Sequence, residues 1–183
     1  MTEERFSGFF AEHFDDIWRF ARRRTDSGAE ADDVAAETFA VAWRRRNDVP
    51  EDSARLWLFG VARLVLANQR REAERRSRLR LRLTTTSAAP AVIDSVPPSE
   101  QVVWVALAAL SPEDRELLLM RAWDGLGVAD IATILQISAA NASSRLHKAR
   151  RRLDRELRRQ DQAAAGQVSG DHRQERRERD EQR

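Results

Sequence analysis

The stretch FSGFFAEHFDDIWRFARRR, residues 6–24, limits the fold more than any other part of the chain. Phe6, Phe10, Phe14, Ile17 and Ala21 recur at steps of four, four, three and four, which lines them up on one side of an α-helix. Such a stripe has to be buried against other helices. Only seven glycines and five prolines occur in 183 residues, which favours helices over loop-rich β structure. At 42% hydrophobic the chain can build a core, and at 34% charged it keeps a strongly solvated surface.

The pattern continues after a break at Asp26-Ser27-Gly28. A second helix is expected to start among acids, which suit a positive helix N-terminus, and to carry Ala35, Phe39, Ala42 and Trp43 on one side. NDVPED (47–52) reads as a turn, because Pro50 disfavours helix at Val49. From about Ala54 a long helix follows with Leu58, Val61, Ala62 and Val65 as its buried seam, and beyond Asn68 arginine replaces the seam. Residues 84–99, TTTSAAPAVIDSVPPS, hold three of the five prolines and read as a flexible linker.

A second helical block begins near Glu100. In SPED (111–114), Ser111 can cap a helix with Pro112 in its first position and acids behind it. That helix, RELLLMRAW, stops at DGLG; then come VADIATIL, the break QIS and a last helix for which Ser138 is a plausible cap. A short helix, a tight turn and a helix with a basic flank form a helix-turn-helix, with Ile131 and Leu135 inward in the first helix and Ala142, Leu146, Ala149 and Leu153 inward in the second. The expected fold is all-α: two small helical domains, 1–83 and 100–159, the second a helix-turn-helix, joined by the 84–99 linker. The tail, 160–183, is polar, has no apolar stripe and is expected to be disordered or a frayed helix.

Charge is segregated. Asp26, Glu30, Asp32, Asp33 and Glu37 fall in a stretch free of Lys and Arg. Residues 63–82 hold eight Arg against Glu72 and Glu74, and residues 145–159 hold seven Arg and Lys148 against Asp154 and Glu156. Two basic faces suit nucleic acid, and the acidic face suits a different partner. With no cysteine, disulfides, thiol catalysis and Cys-based zinc sites are excluded. His13, His147 and His172 are too far apart in sequence for a metal-ligand spacing. The acidic N-terminus is unlike a signal peptide and no apolar run approaches ~18 residues, so no membrane insertion and a cytoplasmic protein are expected. No nucleophile–base pair or glycine-rich phosphate loop is visible, so neither an enzyme nor a cofactor is expected. On these features alone, a stand-alone helix-turn-helix regulator is the rival reading.

Three segments, in this order, resemble one family. EADDVAAETFAVAWRR resembles the polymerase-binding segment of bacterial sigma factors, WLFGVARLVLANQRR their promoter-melting helix, and LSPEDRELLLMRAWDGLGVADIATILQISAANASSRLHKARRRL their C-terminal helix-turn-helix domain. With no other sigma region between them, the chain resembles the compact extracytoplasmic-function (ECF) group of the sigma-70 family. The resemblance implies a sigma factor that binds core RNA polymerase and promoter DNA, with domain 1–83 serving −10 recognition and melting and domain 100–159 serving −35 recognition. It also implies an anti-sigma factor as partner.

The resemblance assigns Asp32, Asp33, Glu37, Phe39 and Trp43 to the polymerase surface, and Arg44 joins the set through the face it shares with Asp33 and Glu37. Helical spacing instead turns Phe39 into the core, groups Asp33, Glu37 and Arg44 on one face, and leaves Trp43 open to either side. Asn68, Arg70, Arg71, Arg75 and Arg76 match the end that engages −10 DNA; Trp57 can stack on a base or pack into the core. The −35 contacts fall on Ser143, Ser144, His147 and Lys148, with Arg145, Arg150 and Arg151 better suited to phosphate. Spacing puts 143, 144, 147 and 148 on one helix face, opposite the apolar stripe. The chain departs from the family pattern at Leu64, where Asn is common, and at Gln136, where Gly is common. It also departs at Ala140-Asn141-Ala142, where a Gly-Thr-Val-like start is common, and at Ser143, where a larger or basic residue is common. Leu64 puts the usual −10 preference in doubt, and the serines thin the −35 contact set.

Overall fold

The computed structural model describes the backbone of residues 2–80 and 98–181, with side chains for 2–76 and 101–162. The described residues contain helices and no strand. In chain order they are α1 (Glu3–Arg22), α2 (Gly28–Arg44), a 3₁₀ turn (Glu51–Ser53), α3 (Ala54–Arg80), α4 (Pro98–Ala108), α5 (Pro112–Ala122), α6 (Val128–Leu135) and α7 (Ala139–Glu181). Residues 84–97 of the expected linker lie outside the described residues, as do 81–83 before it, whereas its last two residues, Pro98 and Ser99, open α4. Proline suits a first turn, whose N–H groups have no partner within the helix.

The helix starts follow local chemistry. The Thr2 hydroxyl accepts from the Arg5 N–H, Ser27 from Glu30 (3.2 Å), Ser111 from Asp114 (3.2 Å) and Ser138 from Asn141 (3.2 Å). The end of α4 is closed from outside: Arg115 donates to the carbonyls of Leu107 (2.8 Å) and Ala108 (2.6 Å), which have no acceptor role left inside the helix. The α7 backbone runs on to Glu181, through residues 160–181 of the tail, for which disorder or a frayed helix was expected. Alanine, glutamine, glutamate and arginine there are strong helix formers, and they extend a helix already nucleated at Ser138.

Helices α1, α2 and α3 pack together, and α4–α6 pack on α7. The expected stripes are buried at Ile17, Ala21, Leu58, Val61, Ala62 and Val65, and Phe39 is core, as helical spacing requires. The N-terminal end of the first stripe emerges instead: Phe6 and Phe14 are half-buried and Phe10 is exposed. These rings meet Phe39 and Trp43 in an aromatic ridge, with Phe10 and Phe39 centroids 4.6 Å apart.

The two helical blocks are not separate bodies. Leu117, Met120, Leu126, Ile131, Ala132, Ile134, Ala142 and Leu146 join the core of the first block in one continuous apolar cluster. A smaller core, of Leu107, Leu118, Leu119 and Ala149, lies between α4, α5 and α7. The run Leu117–Met120 is therefore buried on both sides, which explains a helix apolar almost all round. Each fully buried Leu, Ile or Met contributes about 1.5–3 kcal/mol, so the shared cluster strongly favours the docked arrangement.

The turn of the helix-turn-helix is closed by Gln136 in the left-handed conformation (φ 55°, ψ 43°), its N–H on the Thr133 carbonyl. A side chain there costs about 1 kcal/mol relative to glycine. Gln136→Gly is therefore expected to raise the unfolding free energy by about 1 kcal/mol, measured as a higher urea midpoint at unchanged slope.

Candidate nucleic-acid interface

The last helix presents its expected face. Ala142, Leu146 and Ala149 are buried and Leu153 is half-buried, while Ser143, Ser144, His147 and Lys148 are exposed together on the opposite side. Arg145, Arg150 and Arg151 are exposed beside them. Among the described residues, none of these seven side chains is tied up in a hydrogen bond or ion pair, so their donors and acceptors face solvent. The helix is held behind this face by Arg152, which pairs with the nearly buried Asp114 in the first turn of α5. The small residues Ala139, Ala140 and Asn141 at its start are also exposed, leaving the backbone open to close approach.

The −10 set is split. Asn68, Arg70, Arg71, Arg75 and Arg76 are all exposed near the C-terminal half of α3. Arg71 donates to the Asn68 side-chain oxygen (2.6 Å), and Arg70 reaches the Arg24 carbonyl at 3.3 Å. Arg70 also lies close enough to Arg115 of α5 to lower that guanidinium below its ordinary value, after the larger effect of Arg115's own burial. Nearer the start of α3, Trp57, Arg63 and Leu64 border a cavity of about 400 Å³ whose other wall is Thr133, Ile134, Leu135 and Gln136 of the helix-turn-helix. Trp57 is half-buried on this wall, with the Arg45 guanidinium 5.8 Å from its ring centre, so neither burial nor full exposure describes it. Leu64, 57% exposed, is an apolar residue left on the rim.

The acidic face of α2 carries Asp32, Asp33, Glu37 and Arg44, all exposed. Glu37 and Arg44 pair at 2.7 Å, and Asp32 accepts from the Trp18 indole N–H at 2.7 Å, leaving the Asp33 carboxylate unpaired among the described residues. Trp43 is 38% exposed, edge-on to Phe6 (4.9 Å) and under the Arg46 guanidinium (4.7 Å). It is half anchor and half surface, and the aromatic ridge fixes its orientation.

Comparison with known proteins matches both blocks. Residues 9–76 match the Sigma-70 region 2 family model, and residues 100–153 match Sigma-70, region 4. The ECF RNA polymerase sigma factor SigL of Mycobacterium tuberculosis is 34% identical over 152 residues, covering 79% of this chain and 84% of SigL. The chain belongs to the ECF sigma factors. SigC of the same species is likewise 34% identical, over 74% of each chain. Among solved structures, the sigma factor RpoE of Bartonella quintana, in complex with the anti-sigma factor NepR, superposes with a TM-score of 0.70 at 23% identity, covering 85% of this chain and 98% of that one. CnrH in complex with the cytosolic domain of CnrY gives 0.61, also at 23% identity; both share the fold.

This sigma factor directs promoter-specific transcription initiation, and its partners are RNA polymerase and promoter DNA. The family is non-catalytic. No helix among the described residues is long and apolar enough to cross a membrane.

The sequence reading did not single out Arg23, Arg24, Glu116 and Asp124. Asp124 has no exposed side-chain surface and pairs with Arg23 (2.5 Å) and Arg24 (2.6 Å), about 100 residues earlier in the chain. Arg24, 1% exposed, also holds Glu116 at 3.0 Å and lies 3.6 Å from the Phe20 ring centre. The available signals were the run Arg22-Arg23-Arg24 and the acid before Gly125, each of which has a sufficient local explanation: basic residues suit a helix C-terminus, and Gly125 (φ 68°) ends α5.

The contrast between Phe39 and Trp43 is measurable. Phe39→Ala is expected to cost about 3–5 kcal/mol of stability in urea unfolding, and Trp43→Ala less than half of that.

Proposed function

We propose that this sigma factor recognises −35 DNA with Ser143, Ser144, His147 and Lys148, backed by Arg145, Arg150 and Arg151 on the phosphates, and −10 DNA with Asn68, Arg70, Arg71, Arg75 and Arg76. The observation that carries the reading is the solvent-facing row on α7, four polar side chains opposite a buried stripe and unengaged within the chain. Serine hydroxyls donate or accept, whereas His147 and Lys148 reach further toward base edges. Melting needs no acid–base chemistry: phosphate neutralisation and pockets for unstacked bases offset the lost stacking. Trp57, half-buried beside Arg45 and Arg63, supplies a ring for such a base. Leu64 on the same rim cannot hydrogen-bond a base edge, so it shifts −10 preference toward apolar and stacking contacts.

Asp32, Asp33, Glu37, Trp43 and Arg44 form the polymerase-binding face in this reading, an acidic surface around an aromatic anchor that suits a basic partner. The domains are 1–83 (region 2), 84–99 (linker) and 100–159 (region 4), with 160–183 as an appendage. The protein acts in the cytoplasm without catalysis or cofactor. An anti-sigma factor holds it inactive, as a partner of that kind accompanies the sigma factor RpoE of Bartonella quintana.

Purified chain and core polymerase test the whole reading: co-purification and promoter-dependent transcripts are expected, and absence of both contradicts it. Glu37→Lys is expected to weaken polymerase binding and leave duplex binding unchanged; equal loss of both indicates misfolding. Lys148→Ala is expected to lower discrimination by about 1–3 kcal/mol at one −35 base, read from binding to single-base variants. A uniform loss across all sequences makes Lys148 a phosphate contact.

A further inference from the structure

The junction between the two blocks is charged as well as apolar. Arg23 caps the C-terminal end of α1 and Arg24 follows it, next to Arg70 of α3, whose guanidinium donates to the Arg24 carbonyl. From the second block Asp124 and Glu116 reach into this group, and Arg55 donates to the Asp124 carbonyl at 3.2 Å while pairing with Asp16 at 2.6 Å. Arg115 completes the junction on the Arg70 side. Three guanidinium groups, of Arg23, Arg24 and Arg55, thus meet the three carboxylates of Asp16, Glu116 and Asp124, with the Arg70 guanidinium beside them on the Arg24 carbonyl. The site stays net positive with its acids in place, and the Arg23 Nε is buried without a hydrogen-bond partner. Two arginines receiving carboxylate oxygens side by side have the geometry with which arginine also receives phosphate.

The docked form is too short for its task. Elements centred at −10 and −35 lie about 25 base pairs, or roughly 85 Å, apart on B-DNA. Here Leu64 of α3 and Gln136 of the helix-turn-helix wall the same cavity. Ser143 is seven residues past Gln136, at most roughly 25 Å away along the chain. Asn68 is one helical turn past Leu64, about 6 Å. The two reading surfaces therefore sit far closer together than the two elements, and reading both requires the blocks to part.

We propose that Arg23, Arg24 and Arg70 form a further DNA-backbone site, which Asp124 and Glu116 occupy in the docked chain in place of phosphate, so that the chain restrains its own DNA binding until the carboxylates are displaced. The proposal rests on the promoter reading of Arg70 given above and adds Arg23 and Arg24 to it. Parting the blocks exposes Arg24, now almost wholly covered, beside the existing basic end of α3. The buried carboxylates leave together because both belong to the second block. The repulsion between Arg70 and Arg115 across the junction favours the exchange, since a phosphate separates the like charges.

The test uses the full chain and random-sequence duplex DNA without polymerase, with affinity measured by fluorescence anisotropy from 50 to 300 mM KCl (about the range where counterion release dominates). In Asp124→Asn/Glu116→Gln, log K against log[KCl] is expected to steepen by about 1.8, for the two phosphate contacts added by Arg23 and Arg24 at about 0.9 each. Adding Arg24→Gln to that variant is expected to return about 0.9 of the slope. Glu3→Gln/Glu4→Gln removes the same charge from the exposed start of α1 and is expected to leave the slope near that of the native chain. Circular dichroism checks folding. If the double variant does not fold, Glu116→Gln alone decides, with a smaller steepening expected. An unchanged slope in a folded variant, or a change equal to that of the Glu3/Glu4 control, overturns the proposal. Failure of the promoter reading shows separately, as loss of promoter-dependent transcription by the native chain with polymerase.

Discussion

A carboxylate with no exposed surface, Asp124, placed between Arg23 and Arg24, is the interaction on which this arrangement of helices depends. Burying an ion pair costs several kcal/mol of lost hydration per ion, and the attraction between the partners recovers that only when the geometry is good. Such a pair is therefore a poor source of net stability and a demanding specifier of position. The stabilisation comes from the shared apolar cluster of Leu117, Met120, Ile131 and their neighbours against α1–α3, and the ion pairs select one register for that cluster. Any sliding of the second block would strand an unpaired charge away from water, which costs more than losing an equal area of apolar contact.

This register decides what the sigma factor shows to solvent. The positive-φ turn at Gly125 directs Asp124 inward and lets α6 leave α5 in a new direction. Gln136 then turns the chain again, so that α7 buries its alanine and leucine stripe and leaves Ser143, Ser144, His147 and Lys148 outside. The same docking covers one side of α3, placing Trp57 and Leu64 on an interdomain cavity and Arg70 at the charged junction. The −35 face is thus free in the docked form, while part of the −10 surface is engaged within the chain.

Much of this was legible in the sequence because it is local. The stripes on α1, α3 and α7, the Ser111 and Ser138 caps and the core position of Phe39 all follow from side chains a few residues apart, whose energies depend little on the rest of the chain. The left-handed turn at Gln136 was legible as a departure from glycine. Docking was not. Arg24 and Asp124 are 100 residues apart, and each has a complete local explanation, one as a helix-end base and the other as a turn acid. A helix apolar on two sides, Leu117–Met120, was the one trace of a second interface, and it does not name its partner. Trp43 and Trp57 stayed open for a related reason: each sits at a boundary, where helical spacing fixes direction but not what lies opposite. The tail stayed open between disorder and a frayed helix because composition alone does not register a helix nucleated upstream; through 160–181 the backbone is helical.

The docked arrangement of the free chain is the central claim, and a distance measurement between the blocks tests it most directly. The chain has no cysteine, so cysteines introduced at the exposed positions Ala36 on α2 and Ala129 on α6 take spin labels without background. Double electron–electron resonance on the free protein is expected to give one narrow distance distribution, set by a rigid junction. A broad distribution extending to long distances would show two blocks moving independently and would contradict the account.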